Sequence, residues 1–214
     1  MEQHFAITIA REFGSGGKEI GAELAKRLQI PCYEQQIVRM AAEANGLEEK
    51  EFNKMDNTKR GNFWFSHLRN QPFNYTAEPS DKKFTSDKNL FYMQSQIIRE
   101  LLQTTSFVVL GKCADYVLKD EAHVIRFFVN ASKDICAESI MRKLRVPVDE
   151  AMKMVETTNQ YRSDYYRYYT GGEWKDPEHY DLMINTGRTG REEALNMMEE
   201  YIRHRICLWE GEQR

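Results

Sequence analysis

Two rhythms of apolar residues alternate along the chain. Phe5 to Ile9 is a short β-branched run that reads as a strand, and from Lys18 to Leu28 the residues Ile20, Leu24 and Leu28 recur at helical spacing. Ile30-Pro31-Cys32-Tyr33 predicts a turn and a short second strand, and Ile37 to about Asn45 a helix that stops at Gly46. A helix from about Asp87 to Gln103 places Leu90, Met93, Ile97 and Leu101 on one face. Phe107 to Leu110 is continuously apolar, the pattern of a parallel strand covered on both sides. Val124 to Val129 predicts another strand, and Lys133 to Leu144 a helix broken by Val146-Pro147. Asp149 is placed to cap a helix running to about Tyr169, and Leu182 to Asn185 predicts the last strand. Thr189 followed by Glu192 has capping-box spacing and opens a helix with Leu195, Met198, Ile202 and Ile206 on its buried face. Such alternation predicts a parallel sheet with right-handed crossovers inside a three-layer α/β fold.

Two stretches break the rhythm. The segment from about 47 to 88 is polar, yet scatters Phe63, Trp64, Phe65, Phe73 and Tyr75 among prolines and serines, which predicts a flap with its own aromatic cluster. Between about 145 and 180, Tyr161, Tyr165, Tyr166, Tyr168 and Tyr169 interleave with Arg162 and Arg167 before Trp174-Lys175-Asp176-Pro177. That second stretch has the composition of a lid.

At 214 residues the chain suits one domain, 1–214, with these insertions. The net charge is −3 with both signs mixed, so no basic footprint for nucleic acid is present and an anionic ligand must be met by local lysines and arginines. Cys32, Cys113, Cys136 and Cys207 are widely spaced and form no metal-binding pair; they read as reduced thiols. The opening residues lack a charged-then-apolar leader and no apolar run reaches the length of a membrane span, so the expectation is a cytoplasmic protein without a membrane partner. The last helix or the aromatic flap offers a surface for a homodimer.

The candidate chemistry starts at the first strand–helix junction. In Glu12-Phe13-Gly14-Ser15-Gly16-Gly17-Lys18-Glu19, glycines at 14, 16 and 17 free the backbone to curl its N–H groups around an anion. The helix that follows adds its positive N-terminal end and Lys18 a full charge. The standard phosphate-loop pattern has glycine where this chain has Glu12, and a metal-binding hydroxyl where it has Glu19. Ser15 is the remaining loop hydroxyl, and Glu19 either holds metal through water or points away along the helix. Beyond later strand ends lie Glu34 and the turn Gly111-Lys112-Cys113-Ala114-Asp115. Asp115 either caps the next helix or meets a ligand; Arg162 and Arg167 either close on phosphate as forked donors or stack on the tyrosines. A phosphate loop, a flap and late arginines are the parts of a phosphotransferase.

The run Ile9 to Ile20, then Ile30-Pro31-Cys32-Tyr33-Glu34, Gly111 to Tyr116, Tyr168-Tyr169-Thr170-Gly171 through Trp174 and Asp176-Pro177, and Tyr180-Asp181-Leu182 with Ile184-Asn185-Thr186 together resemble the cytidylate kinase-like family of bacterial proteins. The resemblance spans most of the chain except the flap. It implies a P-loop NTPase fold with a helical NMP-binding-type insertion and a lid, ATP and Mg²⁺ as cofactors, and a small-molecule nucleotide as substrate. It further implies that Gly14, Ser15, Gly16, Gly17, Lys18 and Glu19 hold the donor phosphates, with Ser15 and Glu19 near the metal. Glu34, Lys112 and Asp115 would bind the acceptor, and Lys18, Arg162 and Arg167 would act on the transferring group. Lys112 replaces the acceptor-phosphate arginine of true cytidylate kinases, Thr158-Asn159 replaces their Arg-Asp lid pattern, and Asn185-Thr186 their Asp-Thr pair. A kinase for another small molecule, or a nucleotide-binding regulatory protein with weak turnover, remain as alternatives.

Overall fold

The computed structural model describes residues 4–37, 40 and 88–211. Most of the helix expected from Ile37 to Asn45, and nearly all of the 47–88 insertion, lie outside the described residues.

Strands β1 (Ala6–Arg11), β2 (Cys32–Tyr33), β3 (Phe107–Leu110), β4 (Val124–Asn130) and β5 (Leu182–Asn185) form a parallel sheet in the order β2-β3-β1-β4-β5. β1 is central, with Ile7 opposite Val108 on one side and Ile125 on the other. Both sheet faces are covered, which is why β3 is wholly apolar and β1 and β4 are largely so, broken inside the strands only by Thr8 and Arg126, rather than alternating. On one face Ala6, Phe107 and Val109 pack with Ile97, Ile98 and Leu101 of helix α2 (Lys88–Thr104) and with Leu118. On the other, Ile7, Ile9, Val108 and Phe127 pack with Ile20 and Leu24 of α1 (Gly17–Leu28) and with Met198 and Ile202 of the C-terminal helix.

After β3 the chain turns through Lys112 and Cys113, both at positive φ, into the single-turn α3 (Ala114–Val117). Arg126 of β4 fixes this turn by donating to the carbonyls of Asp115, Leu118 and Lys119. Helix α4 (Lys133–Leu144), capped by the Ser132 side chain, packs on α5 (Val148–Thr170) through Cys136, Ile140, Met154 and Val155. α5 stops at Gly171, whose φ of 73° is the left-handed conformation that ends helices.

Two expected caps are replaced. Asp149 lies inside the first turn of α5, whose N-cap is Pro147. The Thr189–Glu192 box does not form. Thr186–Thr189 is a separate turn of helix, α6, capped by Asn185, and the Thr189 hydroxyl is spent on the carbonyls of Asn185 and Gly190. α7 (Arg191–Gly211) begins only after Gly190, whose φ of 77° breaks the helix between the two box positions.

Candidate phosphate-binding site

All five strands run the same way, so their C-terminal ends collect residues distant in sequence at one edge. The loop from Glu12 to Gly16 leaves the end of β1, the central strand, and feeds α1. Gly14 takes φ of 89°, and a Cβ there would lie 2.5 Å from the carbonyl oxygen of Cys136, so the loop passes too close to α4 for any side chain. At Gly17 a Cβ would meet that of Arg11 at 2.6 Å. The first amides of α1 have no intrahelical acceptor and point from the helix start toward the cleft.

Lys18 stands at that start with its side chain 59 % exposed. Its Nζ is 2.6 Å from one oxygen of Glu34, and Arg11 Nη2 is 2.6 Å from the other. Glu34 therefore stands between two cations just past the end of β2. Burial works to raise the pKa of its carboxyl, but Arg11 and Lys18 outweigh burial and hold it below the ordinary glutamate value. Glu19 lines the same cleft, 2.5 Å from Lys143 of α4. There too burial pulls upward, and the Lys143 hydrogen bond helps bring the net shift down. Glu12 accepts from the N–H of Ala131 at 3.3 Å and pairs with Lys175. Arg162 of α5 borders the cleft, donates from Nη1 to the carbonyl oxygen of Arg11 at 2.6 Å, and lies over the Phe13 ring.

The structure thus brings Gly14, Gly16, Gly17, Lys18, Glu19, Glu34 and Arg162 into one cleft. Other expected site residues stand elsewhere. The Ser15 hydroxyl is buried and lies within hydrogen-bond distance of the carbonyls of Glu12 and Val129, which turns it into the scaffold rather than toward a metal. Asp115 is buried under α5, accepting from the Tyr166 hydroxyl at 2.7 Å, with His179 Nδ1 3.2 Å from the same hydroxyl. Burial raises the pKa of the Asp115 carboxyl, only partly countered by Tyr166. Arg167 points outward and pairs with Glu173 at 2.5 Å. Lys112 is outside the cleft lining, but its charge acts on Glu34. Among the described residues no cluster of three or more His, Cys, Asp or Glu side chains is arranged to hold a metal ion.

Sequence reasoning assigned no role to Lys143 or Lys175, because each reaches the loop from another segment and neither sits in a local motif. Arg191 is a third such residue: a Cβ on Gly16 would lie 3.9 Å from its Cδ, and its charge acts on Glu19. Thr186 joins the last strand to the loop, its hydroxyl 2.7 Å from the carbonyl oxygen of Ser15.

A glycine-rich loop between a central parallel strand and a helix, with lysine at the helix start and cations converging from α4 and α5, defines a phosphotransferase of the P-loop kinase class. The chain belongs to the cytidylate kinase-like family, whose sequence profile it matches over residues 6–188. It is similar to a cytidylate kinase of Sulfurisphaera tokodaii, with 24 % identity over 197 residues, covering 92 % of this chain and 94 % of that protein. Among solved structures it resembles an uncharacterized protein from Eubacterium ventriosum, with TM-score 0.68 and 24 % identity, covering 93 % of this chain and 98 % of the other. It also resembles the shikimate kinase from Bacteroides thetaiotaomicron, with TM-score 0.52 and 13 % identity over 93 % of this chain and 98 % of that one, a likeness of fold. No described helix is long and apolar enough to cross a membrane.

Proposed function

We propose that the protein transfers the γ-phosphoryl group of ATP to a small acceptor that itself carries phosphate, a nucleoside monophosphate of the cytidylate type being favoured. The observation that carries this reading is the convergence of Lys18, Arg11 and Arg162 on the mouth of the glycine loop. An acceptor phosphate oxygen attacks the γ-phosphorus in line; that P–O bond forms as the β–γ bridging bond breaks, and the electron pair leaves with the ADP oxygen. No general base is needed, because the attacking oxygen is already anionic. Lys18 and the loop amides neutralise the donor's terminal phosphates, and Arg162, which borders the cleft, brings a guanidinium charge to the transferring group. Glu34 and Lys112 border the acceptor side, where a lysine supplies charge without the two-pronged grip of arginine. The donor set does not fit a protein-held Mg²⁺. Ser15 is bonded to carbonyls and Glu19 to Lys143, so the metal enters with the nucleotide, on its phosphates and waters.

Initial rates with ATP–Mg²⁺ against a panel of nucleoside monophosphates test the reading, with cytidylate expected fastest and Lys18→Ala lowering kcat/KM by at least about a hundredfold. Tight ATP binding without ADP release on any acceptor would instead establish a nucleotide-binding regulatory protein. That second reading is favoured by one observation: Glu34 and Glu19 in the cleft are already paired with Lys18 and Lys143, cations a phosphate would use.

A further inference from the structure

We infer that α5 is a brace that sets the geometry of the phosphate loop, with Asn159 as a positioning residue for the donor phosphates; this rests on the phosphate-site reading above. The Oδ1 of Asn159 accepts the backbone N–H of Phe13 at 2.8 Å. One helical turn further along, Arg162 donates to the carbonyl oxygen of Arg11. Past the end of the helix, Lys175 pairs with Glu12. Arg11, Glu12 and Phe13 are consecutive, and each is held from a segment about 150 positions away in sequence.

A loop that binds anions through its own amides must turn the right ones inward. The hydrogen bond to Asn159 takes the Phe13 N–H out of the set facing the cleft and fixes the peptide plane that precedes the turn at Gly14, where φ is 89°. The far side of Gly14 rests against the Cys136 backbone, so the turn is held from both sides. The same brace accounts for a carboxylate where the standard loop has glycine. Glu12 is buried, bonded to the Ala131 N–H and paired with Lys175, so its charge anchors the loop to the lid segment instead of repelling phosphate. A neutral amide acceptor serves the loop here without adding a negative charge beside a polyanion.

The test is calorimetric titration of the full chain with ATP and with inorganic tripolyphosphate, which has no base or sugar. Asn159→Ala is expected to weaken both about tenfold, the range of one lost hydrogen bond, while the KM of the acceptor changes less than about twofold. Asn159→Asp keeps an acceptor oxygen in the same place but adds charge. Its binding should therefore recover to within about threefold of wild type in high salt, where Asn159→Ala does not recover. If Lys18→Ala loses binding while Asn159→Ala stays within about twofold of wild type, the brace is wrong and the phosphate site stands. An Asn159→Asp variant that salt does not rescue also overturns the brace. Wild-type protein that binds neither ATP nor tripolyphosphate overturns the phosphate-site reading and this inference with it.

Discussion

At the scale of single residues, the cleft is governed by how its carboxylates are neutralised. Glu12 pairs with Lys175, Glu19 with Lys143, and Glu34 with both Lys18 and Arg11. Glu19 and Glu34 both have folded-state pKa values below the ordinary 4.5, so each stabilises the fold fully above that value and loses its contribution as pH falls through the depressed one. Unfolding free energy should therefore drop in acid beginning near pH 4.5, and Glu34→Gln should flatten that drop in urea titrations between about pH 3 and 6. Asp115 works in the opposite sense. Burial raises its pKa, so its contribution is complete below the unfolded aspartate value and is lost as pH rises through the folded one; Asp115→Asn should remove that loss. Gly14 carries strain of another kind. Gly14→Ala combines a positive φ with a backbone clash against Cys136, and is expected to cost about 2 kcal/mol or more by denaturant unfolding and to weaken ATP binding.

At the scale of elements, α5 emerges as more than a lid helix. Asn159 and Arg162 hold the donor loop, and Tyr166, further along the helix, holds Asp115 beneath the turn that carries Lys112. Tyr166→Phe would leave a buried carboxyl without its phenol donor, at an expected cost of about 1–3 kcal/mol in urea unfolding. Arg167→Ala should leave stability and kcat/KM unchanged, since that arginine is exposed and its charge meets Glu173 and Asp164 rather than the loop. These contrasts mark where sequence patterning reaches and where it stops. The strands and long helices were legible to within a residue or two because periodicity reports burial directly: the α4 and β5 boundaries match the expected ones. The glycine loop was legible because the left-handed φ of Gly14 and Gly16 is a local need, although the close approach of Gly14 to Cys136 is not. Arg162 and Arg167, five residues apart on one helix, have the same local signature, and only the packing of α5 over the loop turns one inward and the other out. The Thr189–Glu192 box failed for a related reason: the spacing was right, but Gly190 breaks the helix between the two positions.

At the scale of the molecule, the parallel sheet makes binding and stability one property. The loop is fastened to β4 through Ser15 and Glu12, to the end of β5 through Thr186, and to α5 through Phe13, so a ligand on the loop bears on strands across the sheet. A nucleotide that binds only the folded chain adds about 2.7 kcal/mol at a hundred times its Kd, which for a chain of this size corresponds to a Tm rise of roughly 5–10 °C. The Arg27 network provides the control. Arg27 joins α1 to α7 through Glu192, Asn196 and Glu199, and does not line the cleft. Arg27→Ala should lower the melting temperature of the protein alone yet keep the full ATP-induced rise, whereas Lys18→Ala, which leaves Glu34 to Arg11, should lose the rise whatever its starting melting temperature. Scanning calorimetry with and without ATP separates the two, and a rise that survives Lys18→Ala would move the donor site away from the glycine loop.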